Sequence, residues 1–122
     1  MASISEKRIL DRIKESSNSN GTGDYSLDGP STGFLAFGAV CQNGDIFDYA
    51  ASEIAGPKWE TGLGQYNSAT NTITRLEIHS NYLNTITPVN WTGEFKVIFL
   101  SLNADSIKQI SDEILVQSII FG

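Results

Sequence analysis

The chain has 122 residues, 40% hydrophobic and 18% charged, with a formal net charge of −6. A disordered chain would carry more charge and fewer aromatics, so these figures describe one folded module with enough length for a single core. The acidic balance argues against a nucleic-acid binder, which needs a basic patch to displace counterions.

Unbroken apolar stretches such as Val97-Ile98-Phe99-Leu100 are far too short to span a membrane, and the first ten residues contain no apolar signal region. Half of the eight basic residues (Lys7, Arg8, Arg12 and Lys14) fall in the first fourteen positions. They mix with Glu6 and Asp11, which reads as a solvated face. Cys41 is the sole cysteine, so an internal disulfide and a Cys-rich metal site are both excluded. These features point to synthesis in a cytoplasm.

In chain order, residues 1–15 read equally as a short helix, with Ile9 and Ile13 four apart, or as a strand arm. Residues 16–23 are a polar run read as a loop or linker. From Asp24 the pattern becomes short strands punctuated by glycine. Tyr25 and Leu27 alternate with polar residues before the turn signal Asp28-Gly29-Pro30. An apolar run over residues 34–40 and a return strand over 46–50 flank Asn43-Gly44, which predicts a hairpin.

Gly56-Pro57 breaks the pattern before residues 58–66. There Trp59, Thr61, Leu63 and Gln65 share one face, and Glu60, Gly62, Gly64 and Tyr66 share the other. After a turn at 67–71, residues 72–78 place Ile73, Arg75 and Glu77 opposite Thr74, Leu76 and Ile78. Residues 79–93 read as irregular and 94–102 as the clearest strand. Six to eight short strands at this spacing predict an all-β fold, a small β-sandwich or jelly-roll-like barrel, with a short N-terminal helix or strand arm.

The expected organisation is an arm and linker over 1–23, the β-domain over 24–104, and a C-terminal segment over 105–122. That last segment reads as one helical turn capped by Asp105, then an apolar strand over 114–121. The strand either closes the domain's own sheet or serves as a docking segment for another subunit. Its candidate assembly contacts are Ile114, Val116, Ile119, Ile120 and Phe121.

Candidate chemistry is sparse. His79, the sole histidine, lies two residues after Glu77, but no nucleophile is tied to the pair. Asp24 with Asp28, and Asp45 with Asp48, lack the alternating oxygen ligands and closing Glu of a calcium loop; they read as turn residues. Gly21-Thr22-Gly23 and Gly62-Leu63-Gly64 lack the third glycine and the following helix of a phosphate loop. Trp59 and Trp91 could stack on a sugar, although a tryptophan in a small sandwich is more often core. Glu60 and Arg75, on consecutive predicted strands, could form a cross-strand ion pair that acts as a structural clamp. No catalytic, cofactor or metal site is expected.

Taken together, Asp11-Arg12-Ile13-Lys14-Glu15-Ser16-Ser17, Gly21-Thr22-Gly23, Leu27-x-Gly29, Gly33-Phe34-x-x-Phe37, Trp59-Glu60-x-Gly62-x-Gly64-x-Tyr66 and Ile73-x-Arg75 form an ordered set over residues 10–104. The set resembles a small β-domain recurrent in tailed-bacteriophage and prophage virion proteins of the tail-fibre-like kind. The resemblance implies a virion structural role, with Trp59, Glu60, Gly62, Gly64, Tyr66 and Arg75 as architectural residues and no cofactor. The implied partners are other virion proteins of the tail, neck or capsid and further copies in a symmetric homo-oligomer such as a trimer, with no nucleic acid and no membrane. A tail or neck adaptor that mounts a fibre is the leading expectation. A capsid decoration protein and a host-glycan-binding module are the alternatives.

Overall fold

The computed structural model describes residues 12–101. Its strands are β1 (Lys14–Ser17), β2 (Tyr25–Ser26), β3 (Gly29–Pro30), β4 (Ile46–Glu53), β5 (Trp59–Asn67), β6 (Thr72–Asn81) and β7 (Lys96–Leu100), with one helical turn, α1 (Phe37–Val40). The strands pair antiparallel in one curled sheet of order β2-β6-β5-β4-β7-β1-β3, a half-barrel. The all-β expectation holds, with the barrel open rather than closed. The expected C-terminal turn and strand, with Ile114, Val116, Ile119, Ile120 and Phe121, lie outside the described residues.

Period-2 alternation sends successive strand side chains to opposite faces of the sheet. Phe47, Tyr49 and Ala51 on β4 point into the concave side with Ile73 on β6 and Ile98 on β7, and all five are at most 0% exposed. α1 closes this core from the side, with Phe37 packed on Phe47 at 5.2 Å between ring centroids. Trp91, from the segment between β6 and β7, fills the other part of the concavity against Tyr25 at 6.4 Å.

Two local expectations are corrected. The apolar run at 34–40 forms a helical turn instead of a strand, because both sides of β4 are already taken by β5 and β7. The Phe37 N–H, which a ladder would otherwise use, is donated to the buried Glu15 carboxylate at 2.7 Å. Ser16 and Ser17, placed in a linker by their polarity, belong to β1 and pair with β7 and, at Ser16, with β3.

β6 also departs from strict alternation. Its register against β5 shifts twice, so Leu76 and His79 are extra residues on the β6 side. Glu77 therefore turns outward and Ile78 inward, the reverse of the simple pattern. β2 covers β6 only at Thr72 and Ile73, which leaves the rest of β6 without a second neighbour among the described strands.

Candidate functional site

Glu60 and Arg75, singled out from the sequence, meet at a buried polar cluster in the concave face. Glu60 is fully buried on β5, and its carboxylate accepts five hydrogen bonds. Oε2 accepts from Tyr25 Oη (2.6 Å), Tyr49 Oη (2.8 Å) and Arg75 Nε (2.7 Å). Oε1 accepts from Arg75 Nη2 (2.5 Å) and from the Val89 backbone N–H (2.9 Å). A carboxylate offers about four lone-pair sites. Glu60 is thus saturated by fixed donors, which leaves no open position on it for a substrate proton or a cation.

Arg75 links this carboxylate to the loops. Its guanidinium also donates to the carbonyls of Gly21 (3.4 Å), Gly23 (3.3 Å) and Val89 (2.9 Å), and it lies 4.8 Å from the Tyr25 ring centroid. Trp91 Nε1 donates to Tyr25 Oη at 2.9 Å. Gly21 and Trp91 exchange two backbone hydrogen bonds, joining the loops on either side of the concavity. The expected Glu60–Arg75 clamp is present, but it is diagonal. Arg75 is paired with Gly64 and Glu60 with Asn81, so the guanidinium runs along the sheet to reach its partner.

The glycines explain how that space exists. A Cβ on Gly62 would collide with the Glu77 carbonyl oxygen and sit 3.0 Å from Tyr49 Oη. A Cβ on Gly64 would sit 2.7 Å from Ile73 Cγ2 and 3.1 Å from Tyr49 Cδ1. The Gly-x-Gly spacing bares two inward positions of β5, and the Tyr49 ring lies there to reach Glu60. Tyr66, at the end of the motif, is buried and donates its hydroxyl to Asn71 Oδ1 at 2.9 Å. Trp59 does not join the cluster. It is 39% exposed, on the opposite face, and is corrected from a core residue to a surface one.

Lys96 and Glu15 are further buried charged residues that the sequence pattern does not signal. Lys96, wholly buried on β7, donates its ammonium to the Ser19 carbonyl (2.6 Å) and the Glu94 carbonyl (3.2 Å), 4.7 Å from the Trp91 ring centroid. Burial depresses its pKa. Glu15 on β1 binds the Phe37 N–H, as described above. Tyr25 and Tyr49 read in the sequence as ordinary strand aromatics. Their signal was the need of a buried phenol for a hydrogen-bond partner.

Glu60 and Glu15, both buried, have opposite pH signatures. Burial alone would raise the Glu60 pKa, but Arg75, Tyr25 and the Val89 N–H outweigh it and hold the group below the usual carboxylate range. Its contribution to stability is present above its unfolded pKa and is lost as pH falls through the lower folded value. For Glu15, burial outweighs the backbone bonds and raises the pKa. The folded state then takes up its proton first, so stability rises on mild acidification toward the ordinary carboxylate pKa. Denaturant midpoints measured across pH should rise and then fall as pH drops, and Glu15→Gln should remove the rise but leave the fall.

His79 does not pair with Glu77. Its Nε2 is buried and faces Asp48 Oδ1 at 3.8 Å, beyond hydrogen-bond length. On the surface, Glu94 accepts from the Thr92 backbone N–H (2.7 Å) and hydroxyl (2.8 Å) and pairs with Lys58 (3.1 Å). These bonds, the Thr92 N–H foremost, pull its pKa down to about 2. Among the described residues, no group of three His, Cys, Asp or Glu side chains is placed to hold a metal ion.

The fold and site define an all-β module whose buried charges are spent on internal fastening. No protein-family model, curated protein or solved structure matches the chain.

Proposed function

We propose that the chain is a structural component of a tailed-phage particle, mounted at the tail or neck as an adaptor for a fibre. One observation supports this reading best. Of the residues that carry the resemblance, Glu60, Gly62, Gly64 and Arg75 converge on one frame of fixed hydrogen bonds and close contacts. The frame holds shape and ties both loops to the sheet. Beyond it, Ile54 (62% exposed), Phe95 (62%) and Trp59 present apolar surface, with the Ile54 N–H bonded to the Phe95 carbonyl at 3.0 Å. Such surface suits contact with other proteins, including further copies of this chain in a homo-oligomer.

Mass analysis of separated heads and tails from particles carrying this chain tests the reading. It should appear with tails. Abundance in tailless heads would replace the adaptor with a capsid decoration protein, and absence from both fractions would end the virion proposal.

The exposure of Trp59 favours host-glycan binding as the second reading, now resting on this tryptophan alone because Trp91 is 1% exposed. On a glycan array, Trp59→Ala should abolish any binding while costing less than about 1 kcal/mol of stability. Trp91→Ala should cost about 3–5 kcal/mol by thermal denaturation, as expected for removing a buried tryptophan. If wild-type protein binds no glycan, the second reading fails.

A further inference from the structure

A polar cleft of about 200 Å³ lies where the turn before β4 meets the end of β5 and the start of β6. Asn43, Gly44, Gln65, Tyr66, Asn67 and Thr74 line it, and none of them is charged. The backbone around it is fixed. The Gly44 N–H donates to the Tyr66 carbonyl (2.8 Å), and the Tyr66 N–H donates to the Asp45 carbonyl (2.9 Å). Gln65 and Thr74 are register partners across β5 and β6.

The side chains are oriented by bonds they make away from the cleft. Asn43 Oδ1 accepts from the Ser68 N–H (3.0 Å), and Asn67 Oδ1 accepts from the N–H groups of Ala69 (3.0 Å) and Thr70 (3.4 Å). These acceptor roles decide which end of each amide is the oxygen. Each amide nitrogen is thereby left as a donor with no acceptor among the described residues. Gln65 is the reverse case. Its Nε2 donates to the Gly44 carbonyl (3.2 Å), which leaves Oε1 to accept. The Thr74 hydroxyl can do both. Two oriented donors, one oriented acceptor and one hydroxyl therefore border a single uncharged space.

We infer that this cleft binds one neutral sugar unit, recognised through its ring hydroxyls. A hydroxyl both donates and accepts, so a ring bearing several of them matches a mixed set of donors and acceptors. Phosphates and carboxylates are recognised by Arg, Lys or helix N-termini, and the lining supplies none of these. The Asp45 carboxylate, in the same turn and bound to the Gln42 N–H at 2.8 Å, adds negative charge against an anion. A nucleobase needs an aromatic face to stack on, but Tyr66 is buried with its hydroxyl on Asn71. The volume lies below the usual 300–1,000 Å³ of small-molecule sites, which limits the occupant to one ring. Without stacking, such a site holds its ligand at about millimolar strength. The inference rests on neither reading above. Trp59 is at the opposite end of β5, and a millimolar complex dissociates too fast to survive the washing of an array.

Titration of the nitrogen-15-labelled chain with glucose, galactose and mannose, followed by amide NMR shifts, provides the test. At least one hexose should give saturable shifts of the Asn43, Gln65 and Asn67 side-chain amides below about 100 mM. Asn43→Asp with Asn67→Asp keeps the acceptor oxygens that hold the turns and removes both donors. Binding should then weaken by about tenfold or more. Thr74→Val keeps a branched strand residue, should weaken binding by about threefold or more, and carries the test alone if the double variant loses its fold. Trp59→Ala should leave the titration unchanged. No saturable shift with any of the three hexoses would overturn the inference, as would an affinity that both cleft variants leave intact. Equal binding of glucitol, an open-chain polyol, would also overturn it. None of these outcomes bears on whether the chain enters particles.

Discussion

Glu60→Ala should destabilise the domain by about 3–5 kcal/mol, the range for breaking a buried ion pair by removing one partner. The large cost comes from what stays behind. Arg75 keeps its charge with its side chain 3% exposed, while the Tyr25 and Tyr49 hydroxyls and the Val89 N–H each lose an acceptor. Small domains have about 5–15 kcal/mol in total, so the variant should unfold at a clearly lower denaturant midpoint. A double-mutant cycle separates the pair from its surroundings. Glu60→Gln with Arg75→Met should be less destabilised than the sum of the single changes by about 0.5–3 kcal/mol, as expected for residues sharing one network. Strict additivity would mean that the two side chains do not act as a clamp.

Gly62→Ala should cost more than Gly64→Ala, and both should cost more than Gly23→Ala. The order follows from what each new methyl group meets. At Gly62 it meets the backbone carbonyl of Glu77, which cannot move without disturbing the ladder between β5 and β6. At Gly64 it meets a terminal methyl of Ile73 and the Tyr49 ring, both of which have some freedom. Overpacking costs about 1–3 kcal/mol, and Gly62 belongs at or above the top of that range. Gly23 has no atom within 4 Å of the added position, so alanine there should be neutral or stabilising by up to about 1 kcal/mol. Equilibrium unfolding of the three variants checks the order. Equal effects would mean that the two β5 glycines are not there to seat Tyr49.

The strands over β4 to β7 were legible because alternation and turn residues agree there. The Glu60–Arg75 pair was legible because opposite charges on consecutive strands have few other uses. What stayed hidden depends on contacts across the fold. Glu15 and α1 show this at residues 34–40, where an apolar run cannot announce that its ladder positions are taken. The two shifts in β6 lie opposite Gly62 and Gly64 of the neighbouring strand, so no property of residues 72–81 alone foretells them. Trp59 sits on the outer face as the alternation of β5 required, yet its residue type suggested the core.

Among the described strands, the incomplete cover of β6 by β2 bears on whether another chain can add a strand there. A half-barrel has lateral rims, and a straight, uncharged rim invites another chain to add a strand and so on without limit. Here the rim carries two irregularities in register, and Arg75 points inward from it. Glu77 adds a charge on the outer side. A visiting strand would find neither regular spacing of backbone groups nor a neutral flank. Open-ended strand addition at this rim is therefore disfavoured.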